Sequence, residues 1–122
     1  MTERSYDVMS REAVKQRLDH SDPDNRDPAK GYALVNVLSQ DDFDKEHIPD
    51  SINIPAGHEE EFERRFAKEK EIIVYCDSTK CDASPKVAKR LADAGFTAIR
   101  DYEAGMRAWK DAGYRIESSR AA

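Results

Sequence analysis

What this chain of 122 residues has little of narrows the field first. Two cysteines are too few for a disulfide scaffold and suit a reducing compartment. The three histidines, His20, His47 and His58, do not stand at the close paired spacings of a structural zinc site, and no metal is expected. Basic residues are outnumbered, 20 against 25 acidic ones for a net charge of −5, and no basic patch is interleaved with aromatics. That argues against nucleic acid and anionic membrane as partners. No apolar run approaches membrane length, and Met1 to Met9 lacks the apolar centre of a signal peptide, so a soluble cytoplasmic protein is expected. Apolar residues still make up 39%, enough to bury a core. Residues 1–122 read as a single domain with a core from about 5 to 116, a flexible loop at 19–30 and a frayed tail at 117–122.

What is there alternates between short apolar runs and helical stripes. Arg4 to Val8 reads as an edge strand, after which Ser10 caps a helix carrying Val14 and Leu18, with Met9 and Val14 spaced as a hydrophobic staple. Asp19 to Lys30 holds two prolines and four aspartates without periodicity, the pattern of a surface loop; Asp22 and Asp24 lack the glycine turn and closing glutamate of a calcium loop. Tyr32 to Leu38 is a continuous apolar run broken only by Asn36, as in a strand buried on both faces. Ser39 and Asp42 form a weak capping box, with Leu38 and Phe43 as a second staple, and Ser51 to Ile54 is a further short strand. From Gly57 the charge run of GHEEEFERRFAKEK reads as a solvated helix face behind Phe62 and Phe66. Thr97 to Tyr102 makes a fifth strand and Ala104 to Ala112 a last helix with Met106 and Trp109 inward. Such alternation predicts an α/β fold, a mostly parallel five-stranded sheet with helices on both faces and ligands at the carboxyl ends of the strands.

The stretch from Glu71 to Phe96 concentrates the chemistry. Ile72, Ile73 and Val74 form a buried strand, Cys76 follows, and after the loop Asp77 to Ala83 a helix starts with Ser84 as N-cap and Pro85 as its first residue. Its apolar stripe is Val87, Ala88, Leu91 and Ala92. A cysteine ending a central strand, facing loop amides and a helix N-terminus, is expected to favour the thiolate and act as a nucleophile. The bland reading is that Cys76 is a small hydrophobe closing a buried strand.

The runs ALVNVLSQDDFDKEHIPDSINIP, IIVYC and RLADAGFTAIRDYEAGMRAWKDAGY, covering Ala33 to Tyr114, resemble the single-domain rhodanese family in order and spacing. Most specific are HIP at His47 to Pro49 with INIP at Ile52 to Pro55, the strand-ending Cys76, and the Gly105 to Trp109 spacing. The resemblance implies the rhodanese-like fold and a sulfurtransferase in which Cys76 takes sulfur from a small donor. Cys76 then holds the sulfur as a persulfide cradled by loop amides, and passes it to a thiol acceptor such as a protein thiol, with no cofactor. The substrate loop is then Asp77, Ser78, Thr79, Lys80, Cys81, Asp82, Ala83 and Ser84, and the chain a monomer or weak homodimer.

Three departures from the family pattern bear on the substrate. The family loop runs Cys, four residues, Arg, Ser; here the loop is two residues longer and Ala83 stands where the arginine belongs. The family's Asp-Val-Arg is Asn36-Val37-Leu38, so a buried charge and its partner are lost together. Lys80 is then the one loop cation for a dianion. A catalytically silent interaction module is one alternative; a cysteine phosphatase or arsenate reductase is another, disfavoured by Ala83. Cys81, inside the same loop, is a candidate resolving thiol, with packing beneath the loop as its ordinary alternative.

Overall fold

Short runs with apolar residues, too short for helices and bounded by turn residues, become strands, and all five align in parallel. The computed structural model describes residues 6–19 and 31–119. In chain order these contain β1 (Asp7–Val8), α1 (Arg11–Asp19), β2 (Tyr32–Asn36), α2 (Gln40–Lys45), β3 (Ile52–Asn53), α3 (Glu60–Arg65), β4 (Glu71–Tyr75), α4 (Ala83–Asp93), β5 (Ile99–Tyr102) and α5 (Gly105–Asp111). The sheet order is β1-β5-β4-β2-β3, with β4 in the middle. His20, the acidic pair Asp22 and Asp24, and all but the first residue of the expected 19–30 loop lie outside the described residues.

Side-chain alternation along β4 divides the core in two. Ile72, Val74 and Cys76 face Phe62 of α3 and Val87, Ala88 and Leu91 of α4, whereas Ile73 and Tyr75 face Val14 of α1 and Met106 and Trp109 of α5. Each fully buried aliphatic or aromatic side chain adds about 1.5–3 kcal/mol of transfer free energy, so β4, buried from Ile72 onward, is the best-anchored strand. Ser10 and Ser39 cap as expected: the Ala13 N–H donates to Ser10 Oγ at 3.1 Å and the Asp42 N–H to Ser39 Oγ at 3.2 Å.

Two expectations need correction. Glu117 to Ser119 is tied down: Glu117 and His47 exchange backbone bonds at 2.9 Å, and the Ser119 N–H donates to Asp44 O at 3.0 Å. The run expected to extend to Leu38 stops at Asn36, because its Oδ1 accepts the Leu38 N–H at 2.8 Å and turns the chain out of the sheet. The HIP segment is structural. The Ile48 N–H donates to the buried Tyr75 hydroxyl at 3.1 Å, and Ser51 Oγ lies 2.8 Å from that hydroxyl.

Candidate active site

From β2 the chain crosses to β3 on one side of the sheet, and from β4 to β5 on the other, so the connections part between β2 and β4. Ligands of open parallel sheets bind outside the carboxyl ends of the strands at such a point. Cys76 follows the last residue of β4 there, and Leu38 leaves β2 beside it. A cavity of about 610 Å³ opens beside the loop that follows, with Leu38, Asp77, Ser78, Lys80, Cys81 and Arg107 on its walls; Cys76 is not among the residues that line it.

The β4 exit is clamped from α5. The Met106 N–H donates to Cys76 O at 3.0 Å and the Arg107 N–H to Asp77 O at 2.8 Å. Gly105 makes this approach possible, because a Cβ built there would sit 2.5 Å from Cys76 O and the backbone has φ +69°. The Gly105 to Trp109 spacing legible in the sequence is therefore what seats α5 on the peptide of Cys76.

Cys76 itself is fully buried. Its Sγ lies 3.6 Å from Ser84 Oγ, 3.7 Å from Cys81 O and 4.0 Å from Ser78 O. Two of these three neighbours are carbonyl oxygens, which accept from a thiol and repel a thiolate. Two of the loop amides expected to cradle the sulfur are used elsewhere, the Cys81 N–H donating to Ser78 O at 3.0 Å and the Lys80 N–H to Ser78 Oγ at 3.2 Å, and the Ser84 N–H is the loop amide that acts on Cys76. Burial pushes the Cys76 thiol up from 9.0 to about 11; the Cys81 thiol adds to the rise and the Ser84 hydroxyl and N–H oppose it. The expected preference for thiolate is thus reversed in this conformation.

Ser84 is not the N-cap. Helix α4 starts at Ala83 with Asp82 as its flanking residue; Ser84 is buried inside the first turn and its hydroxyl meets Cys76. The Asp82 carboxylate makes no capping bond, pairing with Lys86 Nζ at 2.9 Å. Pro85 is tolerated because first-turn N–H groups have no intrahelical acceptor. Thr79 and Lys80 are exposed on the loop and Ala83 is half-buried against the core around Cys76. Lys80 has company that the sequence did not disclose: Lys45 and Arg107 line the same cavity, although Asp42, Glu46 and Asp77 do too. Arg107 sits one residue beyond the inward Met106, and that was its signal in the sequence. Among the described residues no cluster of three His, Cys, Asp or Glu side chains could hold a metal, and no helix is long and apolar enough to cross a membrane.

Fold and site together define an open parallel α/β domain with a single cysteine placed at the carboxyl edge of its central strand. The chain belongs to the rhodanese-like domain family, whose pattern matches residues 10–112. It is 29% identical to the thiosulfate sulfurtransferase GlpE of Coxiella burnetii over 81 residues, 66% of this chain and 74% of that protein. With the putative sulfur carrier protein YrkF of Bacillus subtilis it shares 28% over 105 residues, covering 86% of this chain and about half, 51%, of YrkF. The structure of a rhodanese-related protein from Thermoplasma volcanium superposes with a TM-score of 0.72 at 20% identity, covering 92% of this chain and 98% of that one.

Proposed function

We propose that this protein is a sulfurtransferase-like carrier that takes a sulfane sulfur onto Cys76 and passes it to a thiol acceptor, small or protein-borne. The supporting observation is the placement of Cys76 at the strand switch point of a rhodanese-like domain, with the loop that follows it forming the wall of a cavity also lined by Lys45 and Arg107. In the first half the Cys76 thiol gives up its proton and its sulfur attacks the outer sulfur of the donor, whose remainder leaves with the bonding pair. In the second half the acceptor thiolate attacks the outer sulfur of the Cys76 persulfide and the Cys76 thiolate leaves. Ser84 Oγ and N–H are the groups that favour the charged sulfur.

Access to the buried Sγ requires the loop after Asp77 to swing out. The hydrogen bonds of Lys80 N and Cys81 N run within the loop, whereas Cys76 O and Asp77 O are held by α5, so the loop moves about a fixed nucleophile. Without an arginine at Ala83, a persulfide donor is preferred over thiosulfate.

The test follows product formation in excess thiol or cyanide acceptor with thiosulfate, glutathione persulfide and, separately, a phosphate ester. Sulfur transfer that is faster from the persulfide and abolished in Cys76→Ser, with the fold intact, is the expected result. Phosphate release in place of sulfur transfer means a phosphatase. Inertness toward all three supports a silent interaction module, the second reading, which the burial of Cys76 and its carbonyl neighbours favour.

A further inference from the structure

The steps above leave the chain's one other thiol without a task. Cys81 is half-buried, packs against the apolar cluster that contains Cys76, and forms part of the cavity wall. Its carbonyl oxygen is 3.7 Å from Cys76 Sγ. Cys76 is closed off from solvent and does not reach the cavity, whereas Cys81 both touches its sulfur and reaches the cavity wall. A loop that opens to load Cys76 must therefore carry Cys81 away, and on closing it returns Cys81 to a sulfur that now bears a leaving group.

The geometry points to Cys81 as the resolving thiol for sulfur held on Cys76, an inference that rests on the persulfide reading above. In this step the Cys81 thiol loses its proton and its sulfur attacks Cys76 Sγ. A Cys76–Cys81 disulfide forms, the bond from Sγ to the outer sulfur breaks, and the outer sulfur leaves with the electron pair and takes up the proton as hydrosulfide. The sulfane sulfur is the oxidant: it is reduced to sulfide while the two thiols are oxidised to the disulfide. An external thiol reductant, two thiols for each disulfide, restores the starting state. In a reductant-rich compartment the chain then turns sulfane sulfur into sulfide, in competition with handing it to an acceptor.

Intact-mass measurement decides the matter, on wild type and Cys81→Ala after exposure to glutathione persulfide without acceptor or reductant. Because the chain has only two cysteines, a loss of two hydrogens at the monomer mass can come only from the Cys76–Cys81 bond. The expected result is that loss in wild type with one sulfide released per chain, its reversal by dithiothreitol, and a stable added sulfur in Cys81→Ala. A stable added sulfur in both proteins overturns the resolving role and leaves the carrier reading standing. No added sulfur in Cys81→Ala, when that variant unfolds at the wild-type temperature, overturns the carrier reading and the resolving step with it. Cys81→Ser, closer in size to the native side chain, repeats the comparison with less change in packing.

Discussion

At the scale of the residue, the chemistry of Cys76 turns on whether its neighbours hold a neutral or a charged sulfur. In the closed loop they hold the neutral form, through burial and two carbonyl oxygens. Site-resolved alkylation of Cys76 is therefore expected to accelerate with pH up to about 11, well above an ordinary thiol. Removing the Ser84 hydroxyl in Ser84→Ala takes away a group that favours the thiolate and should move this inflection higher. Cys81→Ala takes away a group that opposes it and should move the inflection lower. An inflection near neutral pH in wild type contradicts the closed site described above. The cavity cations set a second expectation. Lys80 and Arg107 are both exposed, so each is worth only about 0.5–1 kcal/mol toward an anionic donor. Lys80→Ala and Arg107→Ala should each raise the KM for thiosulfate by a few-fold and change that for an uncharged sulfane-sulfur donor, such as a dialkyl trisulfide, less; equal changes for both donors count against a charge role.

At the scale of the element, the corner between β5 and α5 holds the site together. Gly105→Ala places a Cβ against the backbone of Cys76 and Asp77 at a positive φ, while Gly113, at φ +75°, has nothing within 4 Å of the same added atom. Both variants carry the conformational cost of about 1 kcal/mol, but Gly105→Ala must also push α5 off the β4 exit and break the bonds to Cys76 O and Asp77 O. Denaturant unfolding should show a clearly larger loss for Gly105→Ala, accompanied by loss of sulfur transfer; equal losses mean the corner is more plastic than its distances imply. The strands and the place of Cys76 were legible in the sequence because an apolar run between turn residues leaves little choice of structure. The orientation of the loop was not. Whether a peptide turns its N–H or its C=O toward Sγ is a rotation of the peptide plane, which composition does not encode. Ser84 misled for a related reason: serine before proline is a good cap, but a buried hydroxyl beside a thiol has a better use inside the first turn. Arg107 was missed because it is brought to the loop after β4 by the close approach that Gly105 permits, a contact between residues 30 apart in the chain.

At the scale of the whole molecule, β4 and the residue that follows it carry ionisable groups to both halves of the core, Tyr75 toward α5 and Cys76 toward α4. Burial raises the pKa of Tyr75 and of Tyr102 as it does that of Cys76. A group with a higher pKa folded than unfolded holds its proton more tightly in the native state. Its contribution to stability is complete below the unfolded value and is lost as pH rises through the folded one. For Cys76 that window runs from 9.0 to about 11. The melting temperature should therefore fall as pH rises through this window. Cys76→Ser, which has no comparable ionisation, should fall less steeply there and keep only the tyrosine part of the decline. Thermal unfolding of the two proteins at matched ionic strength across that window checks the assignment. Parallel curves would show that Cys76 titrates alike in the folded and unfolded chain, as it would if the loop stood open and its sulfur faced water.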